Sequence, residues 1–205
     1  MKLFTEKEAE DFLEKNHFNV AKRIFIKNKN ELNKAIEKIN FPWVMKISSK
    51  HIVHKTKLGG TILNIKNPKQ AEKAFDMLSK IKDFEGVLIQ EFIPGQEIIL
   101  GIKKTPEFKQ VIMLGSGGTD VEEKKDVSFR IPPITKSDAE EMINELKISK
   151  QKAKKPVNKE AIKNNLLKLS NLTEKNPNIS ELDINPLIVN ESQAVVVDAR
   201  IVFDN

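Results

Sequence analysis

The chain has 205 residues, 39% of them hydrophobic and 31% charged, with a net charge of +6. These proportions exclude a disordered chain and predict a soluble protein with a hydrophobic core, in one large domain or two small ones. The lack of cysteine excludes disulfides and thiolate metal sites and fits a cytoplasmic protein, and no signal peptide or membrane-spanning run is predicted.

The first predicted elements are a helix, a strand and a second helix. Thr5 and Glu8 have the spacing of a capping box, in which an N-cap hydroxyl and a following glutamate satisfy each other's backbone amides. This pattern predicts a helix that reaches about Lys15. Residues 20–26 are predicted to form a short strand. A second helix begins at residues 28–31, carries apolar residues at helical spacing, and ends before Pro42.

The next strand, residues 43–47, contains one lysine, Lys46, among apolar residues. A lysine in such a run costs free energy unless it has an anionic partner or reaches water. Lys46 therefore either holds a phosphate or extends from a sheet edge into solvent. The local pattern favours neither interpretation.

A polar, basic loop follows at residues 48–60 and ends in paired glycines. His51 and His54, two of the three histidines in the chain, lie in this loop. Its positive charge suits a polyphosphate, and a neutral histidine can accept a phosphoryl group or act as an acid or base near neutral pH. The pattern indicates a phosphate-handling loop.

A turn at Pro94–Gly95 is predicted to separate two lobes. A strand at 61–65, a helix that starts at Asn67–Pro68 and a strand at 87–93 precede the turn, and a strand at 97–102 follows it. We expect a smaller lobe that includes the first helix at residues 1–93, a larger lobe at 94–205, and a hinge between them.

In the second lobe, the glycine-rich turn at residues 115–118 follows a strand at 111–114. Such a turn can bring backbone N–H groups close to an anion, although no Walker lysine follows it. An extended segment at 126–133, a helix that starts at 137–140 and runs to about 146, and a helix at 158–172 complete this part of the lobe.

The densest basic run lies at residues 150–155 and contains no aromatic residue. A nucleic-acid-binding protein is therefore an alternative for this basic chain. Tyrosine is absent and Trp43 is the only tryptophan, so base stacking would depend on phenylalanine. Interspersed lysine and glutamate favour a solvated surface instead.

The chain closes on a predicted hairpin of residues 181–187 and 193–198, with its turn at 190–192. Strand alternation puts Asp183 and Asn185 on one face, and the hairpin would bring Asp198 beside them. Carboxylate and amide oxygens suit Mg²⁺, which commonly binds through one or two carboxylates plus substrate phosphates. The alternative is an ordinary hairpin with polar residues at its rim.

Several of these segments together resemble the ATP-grasp β subunit of ADP-forming acetyl-CoA and other acyl-CoA synthetases and, more distantly, that of succinyl-CoA synthetase. They fall in the family's order and span nearly the whole chain: 41–49, 54–60, 90–97, 115–118, 126–130, 181–187 and 198–201. The resemblance implies an α+β ATP-grasp fold, in which two lobes with mixed and antiparallel sheets clasp a nucleotide.

The resemblance also implies roles for individual residues. Lys46 matches a lysine that contacts the nucleotide phosphates, and Glu97 matches an acidic residue near the ribose. The hinge strand that meets the adenine corresponds to Gln90, Glu91, Phe92 and Ile93.

The remaining implied roles concern the phosphates. Asp183, Asn185 and Asp198 match the Mg²⁺ ligands, Arg200 would lie beside the phosphates, and His54 matches a histidine that relays a phosphoryl group. The cofactors implied are ATP or ADP and Mg²⁺.

Two departures from the family pattern bear on phosphate binding. Lys57 stands where the family has an acidic residue, and resembles instead the phosphate loop of succinyl-CoA synthetase. The Arg-Gly pair that usually precedes the last long helix is replaced by residues 153–156.

The implied reaction is acyl-CoA + ADP + Pi ⇌ carboxylate + CoA + ATP. It requires an α subunit that carries the CoA-binding domain and its own phosphohistidine, in an α2β2-type assembly. Two alternatives stay open: another ATP-grasp ligase that forms an acyl phosphate without a phosphohistidine, and the nucleic-acid-binding protein.

Overall fold

The computed structural model describes residues 1–49, 58–118, 126–146 and 157–204. The chain forms two compact units, residues Ala21–Ile93 and residues Met1–Val20 with Pro94–Asn205. We call them the small unit and the large unit. Their division at Ile93 and Pro94 coincides with the predicted lobe boundary. Among the described residues, no helix combines the length and the apolar character needed to span a membrane.

The small unit is a four-stranded antiparallel sheet with two helices on one face. Its strands are β2 (Arg23–Ile26), β3 (Trp43–Ser48), β4 (Thr61–Ile65) and β5 (Gly86–Glu91), in the order β2-β5-β3-β4. A 3₁₀ turn at Lys29–Glu31 leads into α2 (Leu32–Lys38), and α3 spans Pro68–Leu78. The apolar faces of both helices pack on the alternate residues of β3 and β5 that include Trp43, Met45 and Ile89.

The large unit contains a sheet of seven antiparallel strands. These are β1 (Lys2–Leu3), β6 (Gln96–Lys103), β7 (Val111–Ser116), β8 (Val127–Arg130), β9 (Ile179–Val189), β10 (Ala194–Val196) and β11 (Ala199–Phe203). The order is β1-β11-β9-β6-β7-β8, with β10 paired to β9 beyond β11. The longest strand, β9, therefore lies at the centre of the sheet.

Three helices cover one face of this sheet: α1 (Glu6–Lys15), α4 (Lys136–Glu145) and α5 (Lys159–Lys175). Their apolar residues pack against the inward residues of β9, such as Leu182 and Ile184, and against those of β6, β7 and β11. The alternate residues of β9, including Asp183, consequently point to the opposite face.

The predicted helix starts have clear local causes. Thr5 caps α1 in a capping box with Glu8, as predicted, and the helix predicted from residue 158 has Asn158 as its N-cap. The helix predicted to start at 137–140 begins one residue before that range, at Lys136, because Thr135 is its N-cap and forms a capping box with Asp138.

The first helix differs from our expectation, since it belongs to the large unit rather than the small one. Strand β1 pairs with β11, and the rings of Phe4 and Phe12 pack against Phe203 at centroid distances of 5.0 and 5.8 Å. Long-range strand pairing thus places the first 20 residues with the last ones.

Candidate functional site

The predicted metal residues lie where β9 is flanked by β10 and β11. The amide N–H of Asn185 donates a 3.1 Å hydrogen bond to the carbonyl oxygen of Asp198, which lies between β10 and β11. Arg200 is the strand partner of Asp183 on β9. The structure therefore brings Asp198 beside Asn185 and Arg200 beside Asp183. The hairpin pattern alone does not specify these residue pairs.

The side chains at this site differ in exposure. Asn185 and Arg200 are exposed, whereas Asp183 and Asp198 are partly buried. Burial raises the pKa of Asp183 above its ordinary value, the negative charge of Glu181 raises it further, and the positive charge of Arg200 partly opposes both effects. A cation placed beside Asp183 would favour its ionised form.

The donor set fits Mg²⁺ bound mainly through a nucleotide. Two carboxylates and one amide supply hard oxygen atoms, and Mg²⁺ keeps several ligands from water or phosphate. Within the described ranges, no group of three or more His, Asp or Glu side chains could hold a metal ion. The site thus offers few protein ligands.

Glu181 joins Arg200 to a third strand. Its Oε1 accepts a 3.1 Å hydrogen bond from Nη1 of Arg200, and its Oε2 accepts a 2.7 Å hydrogen bond from Nζ of Lys103 on β6. The hydrogen bond from Lys103 lowers the pKa of Glu181, and the charges of both cations lower it further. No local pattern singles out Lys103, because only the sheet order brings β6 next to β9.

A groove of about 550 Å³ lies on this same face of the sheet. Gly101, Met113 and Phe129 occupy paired positions on β6, β7 and β8 and line it, while Glu181 and Asp183 border it. Gly101 contributes no side chain, so the face is recessed directly beside its strand partner Asp183. Sequence analysis did not predict this groove.

Lys46 lies in the small unit, at the centre of β3. Its strand partners are Leu88 on β5 and Thr61 on β4, and only 6% of the residue is exposed. Sheet order thus contradicts the alternative in which Lys46 extends from an edge strand into solvent. A buried ammonium group favours an anionic neighbour.

The predicted adenine-binding segment is held by hydrogen bonds from its backbone amides and by one of its carboxylates. Gln90 is 1% exposed, and the N–H groups of Glu91 and Phe92 donate to the carbonyl oxygens of Lys22 and Pro42 at 3.0 Å each. The Glu91 carboxylate accepts a 2.8 Å hydrogen bond from the Lys22 amide. Ile93, which follows, is partly buried.

Glu97, the predicted ribose contact, lies on β6 in the large unit with an exposed side chain. Its carbonyl oxygen accepts a 2.9 Å hydrogen bond from the amide of Gly117, in the glycine-rich turn. A Cβ at Gly117 would lie 2.5 Å from that of Glu97. Close approach to Glu97 therefore requires a glycine at this point of the turn.

Two predicted site residues, His54 and Lys57, lie outside the described residues. The basic run at 150–155 and the segment that replaces the Arg-Gly pair also lie outside them. The roles assigned to these residues stay predictions.

A family model described as an ATP-grasp domain matches residues 1–203. The chain is 39% identical to the β subunit of ADP-forming acetate–CoA ligase I of Pyrococcus furiosus, over 97% of this chain and 90% of that protein. It is 42% identical to ADP-forming acetate–CoA ligase II of Archaeoglobus fulgidus, over 98% of this chain but only 30% of that longer protein.

A solved structure with the same fold is the dinucleotide-forming acetyl-coenzyme A synthetase 1 of Candidatus Korarchaeum cryptofilum. The two chains share 35% identity with a TM-score of 0.87, over 99% of this chain and 93% of that one. That protein was determined with coenzyme A and Mg-AMPPCP, with a phosphohistidine segment pointing towards the nucleotide-binding site.

Proposed function

The chain belongs to the ATP-grasp domain family, and we propose that it is the nucleotide-binding subunit of an ADP-forming acyl-CoA synthetase. The reaction is acyl-CoA + ADP + Pi ⇌ carboxylate + CoA + ATP, with acetate as the first acid to test. The chain's part is to bind the nucleotide and to exchange a phosphoryl group between it and a phosphohistidine.

The observation that carries this proposal is the pairing in the middle of β9. The Asn185–Asp198 backbone bond and the Asp183–Arg200 strand pair place side by side the backbone of four residues that carry two carboxylates, an amide and a guanidinium. Phosphoryl transfer needs mainly positioning and neutralisation of negative charge. This set of groups supplies anchors for a metal–nucleotide complex and a cation for phosphate oxygens.

We assign Asp183, Asn185 and Asp198 to the Mg²⁺ that accompanies ATP or ADP. The ion would neutralise phosphate charge when bound. Arg200 contacts phosphate oxygens through its fork of N–H donors, which suits planar or tetrahedral oxyanions.

Residues of the small unit are assigned to the rest of the nucleotide. Lys46 contacts the phosphates, and the backbone of residues 90–93 meets the adenine, while Glu97 of the large unit binds the ribose. His54 relays the phosphoryl group, and Lys57 contacts phosphate. Because amides at Glu91 and Phe92 are already bonded within the unit, we assign base recognition to the carbonyl groups of this segment.

The chain spans 30% of the length of the longer acetate–CoA ligase of A. fulgidus but 90% of the separate P. furiosus β subunit. We therefore propose that it works with an α subunit that binds CoA and carries its own phosphohistidine. An α2β2-type assembly is part of the proposal. A cytoplasmic location is also proposed, since a chain without cysteine needs no compartment that forms disulfides.

The test is reconstitution with a co-purified α subunit. We expect ADP- and phosphate-dependent cleavage of acetyl-CoA, and a phosphohistidine detected by acid-labile labelling from γ-labelled ATP. The same activity in a His54→Asn complex would point to an ATP-grasp ligase that uses no relay on this chain.

No binding of ADP with Mg²⁺ by calorimetry would refute nucleotide binding, and salt-dependent RNA or DNA binding in its place would select the nucleic-acid-binding alternative.

A further inference from the structure

Glu181 uses both of its carboxylate oxygens to hold cations from the strands on either side of it. Arg200 of β11 bonds Oε1 at 3.1 Å, and Lys103 of β6 bonds Oε2 at 2.7 Å. The three side chains form a line across the face of the sheet that also carries Asp183. The proposed function gives Arg200 a role but leaves Glu181 and Lys103 without one.

The contact between Arg200 and Glu181 is diagonal. Arg200 is the direct strand partner of Asp183, whereas Val202 is the partner of Glu181. Directly opposed residues are the closest across a strand pair, and diagonal ones are farther apart but within reach of long side chains. Arg200 nevertheless bonds the diagonal carboxylate rather than the direct one.

This geometry has two consequences for the site. Arg200 donates to Glu181 and not to the carboxylate of Asp183 beside it, so the oxygens of Asp183 remain available for a cation. A guanidinium has five N–H donors, and the bond to Glu181 engages only Nη1. The remaining donors of Arg200, whose side chain is 47% exposed, are available to an anion.

Stability does not account for the arrangement. The side chains of Glu181, Arg200 and Lys103 are 29%, 47% and 65% exposed. Ion pairs at such exposed positions contribute little to the free energy of folding, because solvent and salt screen them. Lys104 and Asp204, the residues that directly follow β6 and β11, form a comparable ion pair at 2.7 Å away from Asp183 and provide a comparison.

We propose that Glu181 is a positioning residue that, with Lys103 as its second anchor, holds the Arg200 guanidinium away from Asp183 and towards the phosphoryl group. The proposal rests on the proposed function, since Arg200 is the phosphate contact there. Without Glu181, the nearest carboxylate for Arg200 is its direct strand partner. A bond between Arg200 and Asp183 would then occupy the phosphate contact and a metal ligand together.

The experiment is a double-mutant cycle in the complex reconstituted with the α subunit. Glu181→Gln keeps the shape of the side chain but removes its charge, and we expect kcat to fall about 10- to 100-fold, because small misplacements of reacting groups have effects of this size. KM for ADP should change much less. In the Arg200→Ala background the Glu181→Gln change should have no further effect on kcat, because the residue acts through Arg200.

Lys103→Met should lower kcat in the same direction but less, whereas Asp204→Asn, which breaks the comparison pair, should leave it unchanged. Additive effects of Glu181→Gln and Arg200→Ala, or an unchanged kcat in Glu181→Gln, overturn the proposal. Equal losses in Asp204→Asn also overturn it, since they would indicate a general effect of surface charge.

A second readout does not depend on activity. The ¹⁵Nη–H signals of the Arg200 guanidinium, measured in the isolated chain without nucleotide, should show restricted exchange with water in the wild-type chain and faster exchange in Glu181→Gln, because Nη1 is the donor to Glu181. An identical signal in both chains overturns the positioning role even if the complex is active. A wild-type complex that transfers no phosphoryl group refutes the proposed function and, with it, the effect of Glu181 on kcat. The NMR signal would still report whether Glu181 holds Arg200.

Discussion

The backbone amide of Asn185 and the carbonyl oxygen of Asp198 are joined by a 3.1 Å hydrogen bond. This bond ties β9 to the segment that leads into β11, so the two side chains begin from adjacent points of the backbone. The main chain, rather than side-chain contacts, thus sets the spacing of two proposed Mg²⁺ ligands.

Asp198→Ala tests this assignment. Loss of a charged oxygen ligand should weaken binding of ADP in the presence of Mg²⁺ by about 10-fold, which corresponds to about 1.4 kcal/mol. Binding of ADP without metal should change little. Isothermal titration calorimetry with and without Mg²⁺ measures both constants, with Asp204→Asn as the control. Equal weakening in both conditions would contradict a metal role.

Asp183→Asn should separate stability from function. Burial and the nearby charge of Glu181 raise the pKa of Asp183, so the ionised carboxyl is unfavourable in the folded chain at neutral pH. Removing the charge should raise the melting temperature of the metal-free chain and weaken nucleotide binding with Mg²⁺. Residues that serve a site at the cost of stability behave in this way. A lower melting temperature would show that the carboxylate stabilises the fold.

Sequence patterns predicted the parts of this fold that depend on neighbouring residues. The Thr5 capping box, the start of a helix at residue 158 and the alternation of β9 are local features, and each is present. The placement of α1 with the large unit depends instead on pairing between Lys2 and Phe203. No local pattern encodes a contact between the two ends of a chain.

The candidate site divides in the same way. Asp183, Asn185 and Asp198 were predicted because they lie on one hairpin. Lys103 and the groove beside Gly101 were missed, because β6 is next to β9 only through the sheet order. The burial of Lys46 likewise follows from the central place of β3, which its own sequence does not specify.

Gly117→Ala should affect both stability and nucleotide binding. An added Cβ would lie 2.5 to 2.7 Å from the Cβ, carbonyl carbon and carbonyl oxygen of Glu97. Backbone cannot move aside as a flexible side chain can, so the start of β6 must shift, and with it Glu97. We expect a lower melting temperature and weaker ADP binding.

Gly118→Ala is the matched control for that change. Gly118 has a φ of +102° but open space around its Cβ position. Alanine there is strained by about 1–3 kcal/mol without contact with Glu97. The control should therefore be destabilised with unchanged ADP affinity at a temperature where it is folded. Equal losses of affinity in the two variants would contradict a specific effect on Glu97.

Glu145→Gln should change the acid limb of the stability curve. The Glu145 carboxylate accepts hydrogen bonds from Arg130 at 2.6 Å and from Ser128 at 2.5 Å. The bond from Arg130, and then that from Ser128, lower the pKa of Glu145 from its ordinary value. A lowered folded-state pKa gives stability that is present above the unfolded-state pKa and is lost as pH falls through the folded-state pKa. The variant should melt at a lower temperature than the wild-type chain at pH 7, and its melting temperature should fall less on acidification through the ordinary carboxyl range, about pH 4.

Glu141→Gln provides the comparison, because its carboxylate contacts the same guanidinium at 3.3 Å and its side chain is 63% exposed. It should lower the melting temperature less at neutral pH. Melting temperatures measured from pH 3 to 7 cover the ordinary carboxyl pKa of about 4. If the melting temperatures of the two variants fell equally on acidification, the assignment would be contradicted.

Lys46→Met tests the phosphate contact of the small unit. Methionine fits the volume of the lysine stem, and the position is 6% exposed, so the apolar packing of β3 should be retained. Removal of a charge that binds phosphate should weaken ADP binding by about 10- to 100-fold, given that hydrogen bonds to charged groups contribute about 1.5–3 kcal/mol.

Lys66→Met, at an exposed position just after β4, removes the same net charge away from the site and should leave the affinity unchanged. Calorimetry on chains that melt cooperatively distinguishes the two effects. If both variants bind ADP as tightly as the wild-type chain, Lys46 does not contact the phosphates, and if both lose affinity equally, the overall positive charge attracts the nucleotide rather than this residue.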